Sequence, residues 1–164
     1  MLPASLRGIA NVMEPEMQML IVAVTDDSGT LIEPEWLLQA ERVHRQLRPQ
    51  LPASYRSRMA EVFANGACMA VIVNGNAVVC VAVWRIIENT NEGRRLYVDD
   101  LVSDEACRSL GAGKVMLDWL ERKSIALAAS VLALDSGVQR QRAHRFYFRE
   151  GLHISSFCLK KVLK

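Results

Sequence analysis

Residues 95–114 of the chain read RLYVDDLVSDEACRSLGAGK and contain two elements and the turn between them. The composition of Arg95 to Ser103 predicts a strand. Gly111 to Leu127 is predicted as a helix, with Met116 and Leu120 on its buried side. A short apolar strand, VLAL, follows at residues 131–134. A helix between two such strands is what a parallel crossover requires, so the two strands should be neighbours in one sheet.

The remaining elements follow from hydrophobic patterns and turn residues on either side of this unit. CMAVIV and AVVCVAVW flank Asn74-Gly75-Asn76, and Asn-Gly tolerates the backbone angles of a tight hairpin turn. The predicted order is β, two helices, three β, α, β, α, β. Outside the central unit it comprises strands at Met19–Thr25 and Leu152–Val162, the hairpin, and helices at Glu35–Arg48, Ser54–Asn65 and Gln141–Glu150 with Gly151 as C-cap.

Composition indicates one globular domain. The chain has 164 residues, of which 51% are hydrophobic and 23% charged, a size that usually forms a single core. We therefore assign residues 1–164 to one domain, with residues 1–15 as an N-terminal extension of unassigned structure. Lys and Arg number 20 and Asp and Glu 18, a net charge of +2 that lacks the excess used to capture nucleic acid or an anionic membrane. We expect neither as a partner.

The four cysteines are scattered and form no C-x-x-C pair, which argues against a zinc site or a redox dithiol. We predict reduced thiols and no metal. The N-terminus is a poor match to a secretory signal, and no apolar run reaches the ~18 residues of a membrane span. The expected setting is the cytoplasm, and the expected state is soluble.

The segment from Arg108 to Lys114 predicts an anion site. Its members are Arg108, Ser109, Leu110, Gly111, Ala112, Gly113 and Lys114. Unpaired N–H groups at a helix start attract phosphate oxygens, and glycines let an anion approach them. A dinucleotide fingerprint would need glycine at Met116, and a P-loop would need glycine at Arg108. From the residues alone, a turn without a ligand remains an alternative.

Two motifs then resemble one family. Arg108-x-x-Gly111-x-Gly113 looks like the acetyl-CoA pyrophosphate signature of the GNAT superfamily of N-acetyltransferases. A second block, AHRFYFREGL at residues 143–152, resembles that family's helix with an alanine, a tyrosine and a glycine at fixed spacing. With the strands before them, the resemblance covers nearly everything from Met19 to the C-terminus. Two departures stand out: Arg140 occupies a place where many relatives carry Asn, and Leu152 replaces the more usual Phe.

The resemblance implies roles for individual residues. Asp99 and Asp100 resemble the paired acidic residues of the spermidine/spermine N-acetyltransferases, which makes Asp99 the first candidate for the general base and Asp100 the second. Tyr147 matches the residue that protonates the leaving thiolate. Leu101 and Val102 match the pair whose backbone binds the pantetheine arm.

It also implies a fold and a reaction. The fold is α/β: a mixed, mostly antiparallel twisted sheet with a splayed parallel strand pair and helices on both faces. The function is transfer of acetyl from acetyl-CoA to a primary amine, with a small cationic amine or amino acid favoured as the acceptor. A protein N-acetyltransferase and a non-catalytic acyl-CoA-binding regulatory module are the alternatives. Edge strands and an apolar C-terminal strand favour a homodimer.

Several residues keep simpler interpretations. Neighbouring strand residues point to opposite faces, so only one of Asp99 and Asp100 should face the amine unless a bulge intervenes. Either carboxylate could instead pair with an arginine, for which Arg94, Arg95 and Arg145 are candidates. Tyr147 could be an ordinary core tyrosine. His144, His153 and the arginines at positions 140–149 are interpreted as solvated or capping groups, although the arginines could contact CoA phosphates.

Overall fold

The computed structural model describes residues 18–108 and 110–163. Its centre is a five-stranded sheet in the order β1-β2-β3-β4-β5. Neighbouring strands are antiparallel except β4 and β5, which are parallel over four residue pairs from Arg95 with Val131 to Val98 with Leu134. The α/β fold with a mostly antiparallel mixed sheet is therefore confirmed. The strands are β1 Met19–Ala23, β2 Ala67–Asn74, β3 Ala77–Asn89, β4 Gly93–Ser103 and β5 Val131–Leu134.

Four α-helices accompany the sheet. They are α1 Pro34–Leu47, α2 Tyr55–Ala64, α3 Ala112–Ala126 and α4 Gln141–Arg149. Proline starts α1, where its missing N–H costs nothing, and Gly151 follows α4 with a φ of +88°. The predicted helices are confirmed to within a residue or two at each end.

A hydrophobic core lies on each face of the sheet. On one face, Val71, Val81 and Val83 pack against residues of α1 and α2, such as Val43 and Phe63. The opposite core joins sheet residues to α3 and contains Ile72, Ala82, Trp84, Leu96, Val98, Met116 and Leu120. Because β2 and β3 are covered on both faces, both strands are almost continuously apolar.

The predicted C-terminal strand is wrong. Residues 152–163 have no assigned strand, although their composition is strand-like. Residues 153–163 are all exposed, Ile154 and Phe157 to 69% and 88%, so neither face of such a strand is buried against the described part of this chain. Without a neighbouring strand to pair with, β-propensity does not by itself produce a ladder, because it largely reflects packing on a sheet surface.

Within the described ranges, no helix is long and apolar enough to cross a membrane.

Two glycines allow a sharp stability test, because Gly29 and Gly66 have nearly the same positive φ, +84° and +85°. A Cβ at Gly29 would lie 2.9 Å from the carbonyl oxygen of Phe63 and 3.0 Å from that of Ala67, whereas nothing lies within 4 Å of one at Gly66. Gly66→Ala should cost only the backbone strain, about 1 kcal/mol. Gly29→Ala adds a backbone clash and should lower the free energy of unfolding by at least about 1 kcal/mol more. Urea denaturation of both variants measures the difference, and equal losses would contradict the packing described.

Candidate functional site

An extra residue in β4 places two carboxylates on the same face of the sheet. Val98 pairs with Trp84 of β3 and Asp100 pairs with Val83, so Asp99 has no partner on β3. Val98 packs in the core on the α3 side, whereas Asp100 contacts α1. The bulge reverses the alternation of side chains, as an inserted residue must. Asp99 and Asp100 therefore both lie on the α1 and α2 side.

One of the two carboxylate oxygens of Asp99 is taken up by an ion pair with Arg85. Its Oδ2 accepts a hydrogen bond from Nε of Arg85 at 2.7 Å and lies 2.7 Å from Nη2 of the same guanidinium as an ion pair. The same arginine donates to the carbonyl oxygen of Asn65, which follows α2. Among the described contacts, Oδ1 of Asp99 accepts no hydrogen bond, so this oxygen is open to a ligand.

Asp100 is bound through both oxygens. Arg48 donates from Nε to Oδ1 at 2.6 Å; its Nη2 lies 2.6 Å from the same oxygen as an ion pair and donates to the carbonyl oxygen of Asp99 at 3.2 Å. Nε2 of His44 lies 2.8 Å from Oδ2. Burial by itself would raise the pKa of Asp100, but the hydrogen bonds from His44 and Arg48 outweigh it and lower the pKa below its ordinary value. Asp100 is therefore a stable carboxylate and a weak base.

The arginines that pair with Asp99 and Asp100 differ from the predicted candidates. Asp99 and Asp100 do pair with arginines, but with Arg85 and Arg48 rather than with Arg94, Arg95 or Arg145. Arg94 and Arg95 instead bind Glu88 and Glu92. The reason is the bulge, which turns Asp99 and Asp100 toward α1 and the end of α2 and away from the start of β4.

A cleft brings these carboxylates together with Tyr147 of α4. Its other lining residues are Leu47, Arg48, Val98, Leu101, Leu134, Asp135, Ser136, Gly137, Arg140 and Ala143. Burial, with a smaller contribution from the Cys80 thiol, raises the pKa of Tyr147 to about 12, although the nearby Arg140 guanidinium acts in the opposite direction. The phenol is therefore protonated at neutral pH and can donate a proton.

The cleft lies where β4 and β5 separate. β5 ends at Leu134, opposite Val98, and therefore leaves the following residues of β4 without a partner on this side. Leu101 and Val102 pair only with Ala82 and Val81 of β3. Unpaired main-chain groups at such an edge are open to an extended ligand.

The glycine turn begins α3 as predicted. Gly111 is the N-cap, with φ +88°, and no side chain caps the helix there. A Cβ at Gly111 would meet nothing within 4 Å, so this side of the turn faces open space. Gly113 lies in the first turn of α3, where a Cβ would be 3.4 Å from Oγ of Ser103 and 3.7 Å from Phe146. The first N–H groups of α3 can therefore donate hydrogen bonds to a bound anion.

The other turn residues have different positions. Arg108 is exposed and binds Glu105 at 2.8 Å, and Lys114 binds Asp118 at 2.9 Å and Glu150 at 3.2 Å. Leu110 is half exposed, whereas Ala112 is buried against the sheet. Ser109 lies outside the described residues.

The sequence pattern gives no functional role to three residues of the site: His44, Arg48 and Asp135. Arg48 is predicted, with Arg42 and Arg45, to belong to a solvated stripe of α1, whereas the structure pairs it with Asp100. The signal for His44 is its place at helical spacing among the apolar residues of α1, where an imidazole is unusual. Of the histidines that were considered, His144 lies 3.0 Å from the carbonyl oxygen of Gly137, outside this network.

Across the described residues, no group of three or more His, Cys, Asp or Glu side chains could hold a metal ion.

Comparisons with known proteins agree with one another. The sequence profile of the Acetyltransferase (GNAT) family matches residues 35–152. The chain is 30% identical over 132 residues to the "Uncharacterized N-acetyltransferase YhdJ" of Bacillus subtilis (strain 168), covering 77% of this chain and 91% of that protein. It is 33% identical over 66 residues to the aminoalkylphosphonate N-acetyltransferase of Salmonella typhimurium, covering 40% of this chain and 43% of that protein.

The fold is also that of a solved structure. The aminoglycoside acetyltransferase AAC(6')-Iy, in complex with the bisubstrate analogue CoA-S-monomethyl-acetylneamine, superposes with a TM-score of 0.74 at 12% identity. The match covers 90% of this chain and 99% of that one.

Proposed function

Because the chain belongs to the acetyltransferase (GNAT) family, and is thus an acyl-CoA-dependent acetyltransferase with acetyl-CoA as co-substrate, we propose that its acceptor is the primary amine of a small cationic molecule or an amino acid. The observation that carries this proposal is the cleft that joins Asp99, Asp100 and Asp135 to Tyr147. Carboxylates attract an ammonium group, and a protonated phenol beside them can supply the proton that the departing sulfur needs. That similar proteins are aminoglycoside and aminoalkylphosphonate acetyltransferases also supports an amine acceptor.

The residues present fit acetyl-CoA. The uncapped start of α3 at Gly111 suits the pyrophosphate, and the open edge of β4 at Leu101 and Val102 suits the pantetheine arm. Oγ of Ser136, which lines the same cleft, is buried without a hydrogen-bond partner among the described residues. An orphaned hydroxyl at this position is consistent with a polar group of a ligand.

We assign the general base to Asp99 and a binding role to Asp100. Asp99 has a free oxygen on the cleft side, whereas both oxygens of Asp100 already accept strong hydrogen bonds. A carboxylate with a lowered pKa is a poor proton acceptor but a good partner for an ammonium ion. Asp100 would therefore hold the charge of the acceptor while Asp99 takes its proton.

The reaction then balances as follows. Asp99 takes one proton from the acceptor's ammonium group and releases it to solvent. The neutral nitrogen attacks the thioester carbonyl that acetyl-CoA supplies, so that a C–N bond forms and the C–S bond breaks. Tyr147 gives its proton to sulfur and is reprotonated by the proton that nitrogen sheds on becoming an amide.

A pair of nearly isosteric variants tests the phosphate site. Asn tolerates the positive φ of position 111 better than most residues, so Gly111→Asn should preserve the turn. Gly111→Asp introduces a side chain of almost the same shape as Asn and adds a negative charge. We expect Gly111→Asp to weaken acetyl-CoA binding by tenfold or more relative to Gly111→Asn, since about 1.4 kcal/mol of repulsion suffices. Isothermal titration calorimetry measures both dissociation constants. Equal affinities would show that no phosphate approaches this helix start.

A second set of variants tests the proton transfers. Asp99→Asn and Tyr147→Phe should each lower kcat by about 100-fold, the usual contribution of a positioned acid or base. Glu121→Gln, an exposed change on α3, serves as the control. Acetyl transfer is followed by thiol release with 1,4-diaminobutane, an aminoglycoside, 2-aminoethylphosphonate and free amino acids as acceptors.

The outcomes of that experiment separate the alternatives. If Asp99→Asn keeps full activity and Asp100→Asn loses it, the general base is Asp100 rather than Asp99. Failure to acetylate any of these amines, with acetyl-CoA still bound, would favour a protein acceptor or a non-catalytic acyl-CoA-binding module.

We also propose that two chains associate. β5 is the last strand of the sheet, and the segment after α4 exposes large apolar side chains at 69–93% of their surface: Ile154, Phe157, Leu159, Val162 and Leu163. Contiguous exposed apolar residues are uncommon on a monomer and mark interaction surfaces. A second copy of the chain could cover them, and its own segment would be covered in turn.

Light scattering coupled to size-exclusion chromatography tests the homodimer. The native chain should have twice the mass of one chain, and Phe157→Ser combined with Leu159→Ser should convert it to a monomer. Val138→Ser removes an equally exposed apolar side chain, 90% accessible, outside this segment and should leave the dimer intact. A native chain with the mass of one copy would contradict the proposal.

A further inference from the structure

A buried histidine lies behind the cleft and has no part in the proposed proton transfers. His44 of α1 is only 2% exposed. Its Nε2 lies 2.8 Å from Oδ2 of Asp100, and its Nδ1 lies 2.9 Å from the hydroxyl of Tyr55, itself 2% exposed. The two rings meet edge to face, with their centroids 5.8 Å apart. Tyr55, His44 and Asp100 therefore form a continuous chain from the core to the cleft.

The direction of these hydrogen bonds follows from the groups at the two ends. Asp100 is ionised and can only accept, so Nε2 of His44 carries the hydrogen. Burial raises the pKa of Tyr55, so its phenol stays protonated. The Tyr55 hydroxyl has no other partner among the described residues, and a buried O–H left unpaired would be costly, so it donates to Nδ1. Tyr55 thereby reinforces the imidazole tautomer that donates to Asp100.

Packing alone does not account for this series of hydrogen bonds. The neighbouring core positions of α1 are Leu37, Ala40 and Val43, all fully apolar. A leucine in place of His44 would continue that pattern without burying polar atoms, and apolar replacements of buried polar groups are often neutral or stabilising. The imidazole therefore serves its polar partner, Asp100.

Charged and titratable groups from several elements lie near Asp100. His44 and Arg48 of α1 bind it directly. Asp99, Asp135, Arg140 and Tyr147 line the same cleft, and Arg85 of β3 is paired with Asp99. On the core side Tyr55 of α2 contacts His44, and the charges of Glu41 and Arg45 act on Tyr55. Of the donors among them, His44 alone reaches Oδ2.

We propose that His44, held by Tyr55, is the positioning residue that stabilises the ionised form of Asp100 and fixes its orientation in the cleft, so that Asp100 can bind the acceptor as an ammonium ion. Only the binding of the acceptor by Asp100 rests on the proposed function. The state of Asp100 in the free protein can be measured without any acceptor.

The direct test is a carbon-13 NMR titration of the Asp100 carboxyl group in the native chain and in His44→Gln and His44→Leu. Removing the donor should raise the pKa of Asp100 by roughly one unit in His44→Leu. The glutamine side chain retains an N–H donor, so His44→Gln should shift it less. Asp104, whose pKa of about 2 is set chiefly by Arg42, is the control and should not move. An unchanged Asp100 titration in a folded His44→Leu, or equal shifts in both variants, would overturn the proposal.

Tyr55→Phe carries the test if His44→Leu does not fold. Losing the hydroxyl leaves Nδ1 without its donor while Asp100 still holds the hydrogen on Nε2, so the Nδ1 signal should shift in long-range nitrogen-15 spectra. The Asp100 titration should move in the same direction as in His44→Leu, by a smaller amount. His44 signals are assigned by their loss in His44→Gln. An unchanged Nδ1 signal together with an unchanged Asp100 titration would overturn the role of Tyr55 and His44.

Kinetics with 1,4-diaminobutane or 2-aminoethylphosphonate as the probe tests the link to the acceptor. His44→Leu should raise the acceptor KM by about tenfold, change kcat much less, and move the acid limb of kcat/KM to higher pH. A purely structural role would leave that limb in place. The native chain could acetylate neither probe while the pKa of Asp100 still changes in the His44 variants. That result would support the role of His44 and contradict the proposal of a small-amine acceptor. If the enzyme is active but the pKa of Asp100 does not change in the His44 variants, only the inference about His44 is overturned.

Discussion

The site depends on one extra residue in β4. Without the bulge at Asp99, strict alternation would send Asp99 and Asp100 to opposite faces of the sheet, one into each core. With it, both carboxylates turn toward α1, where Arg48 and His44 can bind Asp100, and Arg85 remains within reach of Asp99. The position is also where β5 ends, so the same few residues supply the carboxylates and border the open edge of β4.

Two groups of polar contacts fasten helix α1 to β4 and to the residue that follows it; the two α1 residues of each group are four positions apart, and so are the two aspartates they bind. Arg42 and Gln46 bind Asp104, while His44 and Arg48 bind Asp100. Asp104 precedes the short helix that leads into the glycine turn, and Asp100 lines the cleft. Helix α1 therefore contacts both the segment that leads to the proposed phosphate site and the proposed acceptor carboxylate. Arginine-to-carboxylate bonds with restricted geometry suit this purpose, because their directionality fixes orientation as well as distance.

Local patterns predicted the parts of the fold that local physics determines. The Asn-Gly hairpin, the strand at Val131–Leu134 and the glycine at the start of α3 appear as expected, since turn chemistry and periodicity are properties of neighbouring residues. The bulge, the pairing of Asp100 with His44 and the absence of a strand at residues 152–162 depend on contacts 12 or more residues away along the chain. A sequence pattern does not contain them. His44 falls at helical spacing with the apolar residues of α1, but that pattern gives no sign of its polar partners.

We propose that the bulge sets the acceptor carboxylates beside the thioester, on one side of the sheet where β4 and β5 separate. A crystal structure with a non-hydrolysable acetyl-CoA analogue would show whether this is so. We expect the pyrophosphate at the Gly111 turn, the pantetheine arm along Leu101 and Val102, and the sulfur position within hydrogen-bonding distance of the Tyr147 hydroxyl, with Asp99 and Asp100 on the acceptor side. An analogue bound elsewhere, or Asp99 and Asp100 on opposite faces of the sheet, would contradict it.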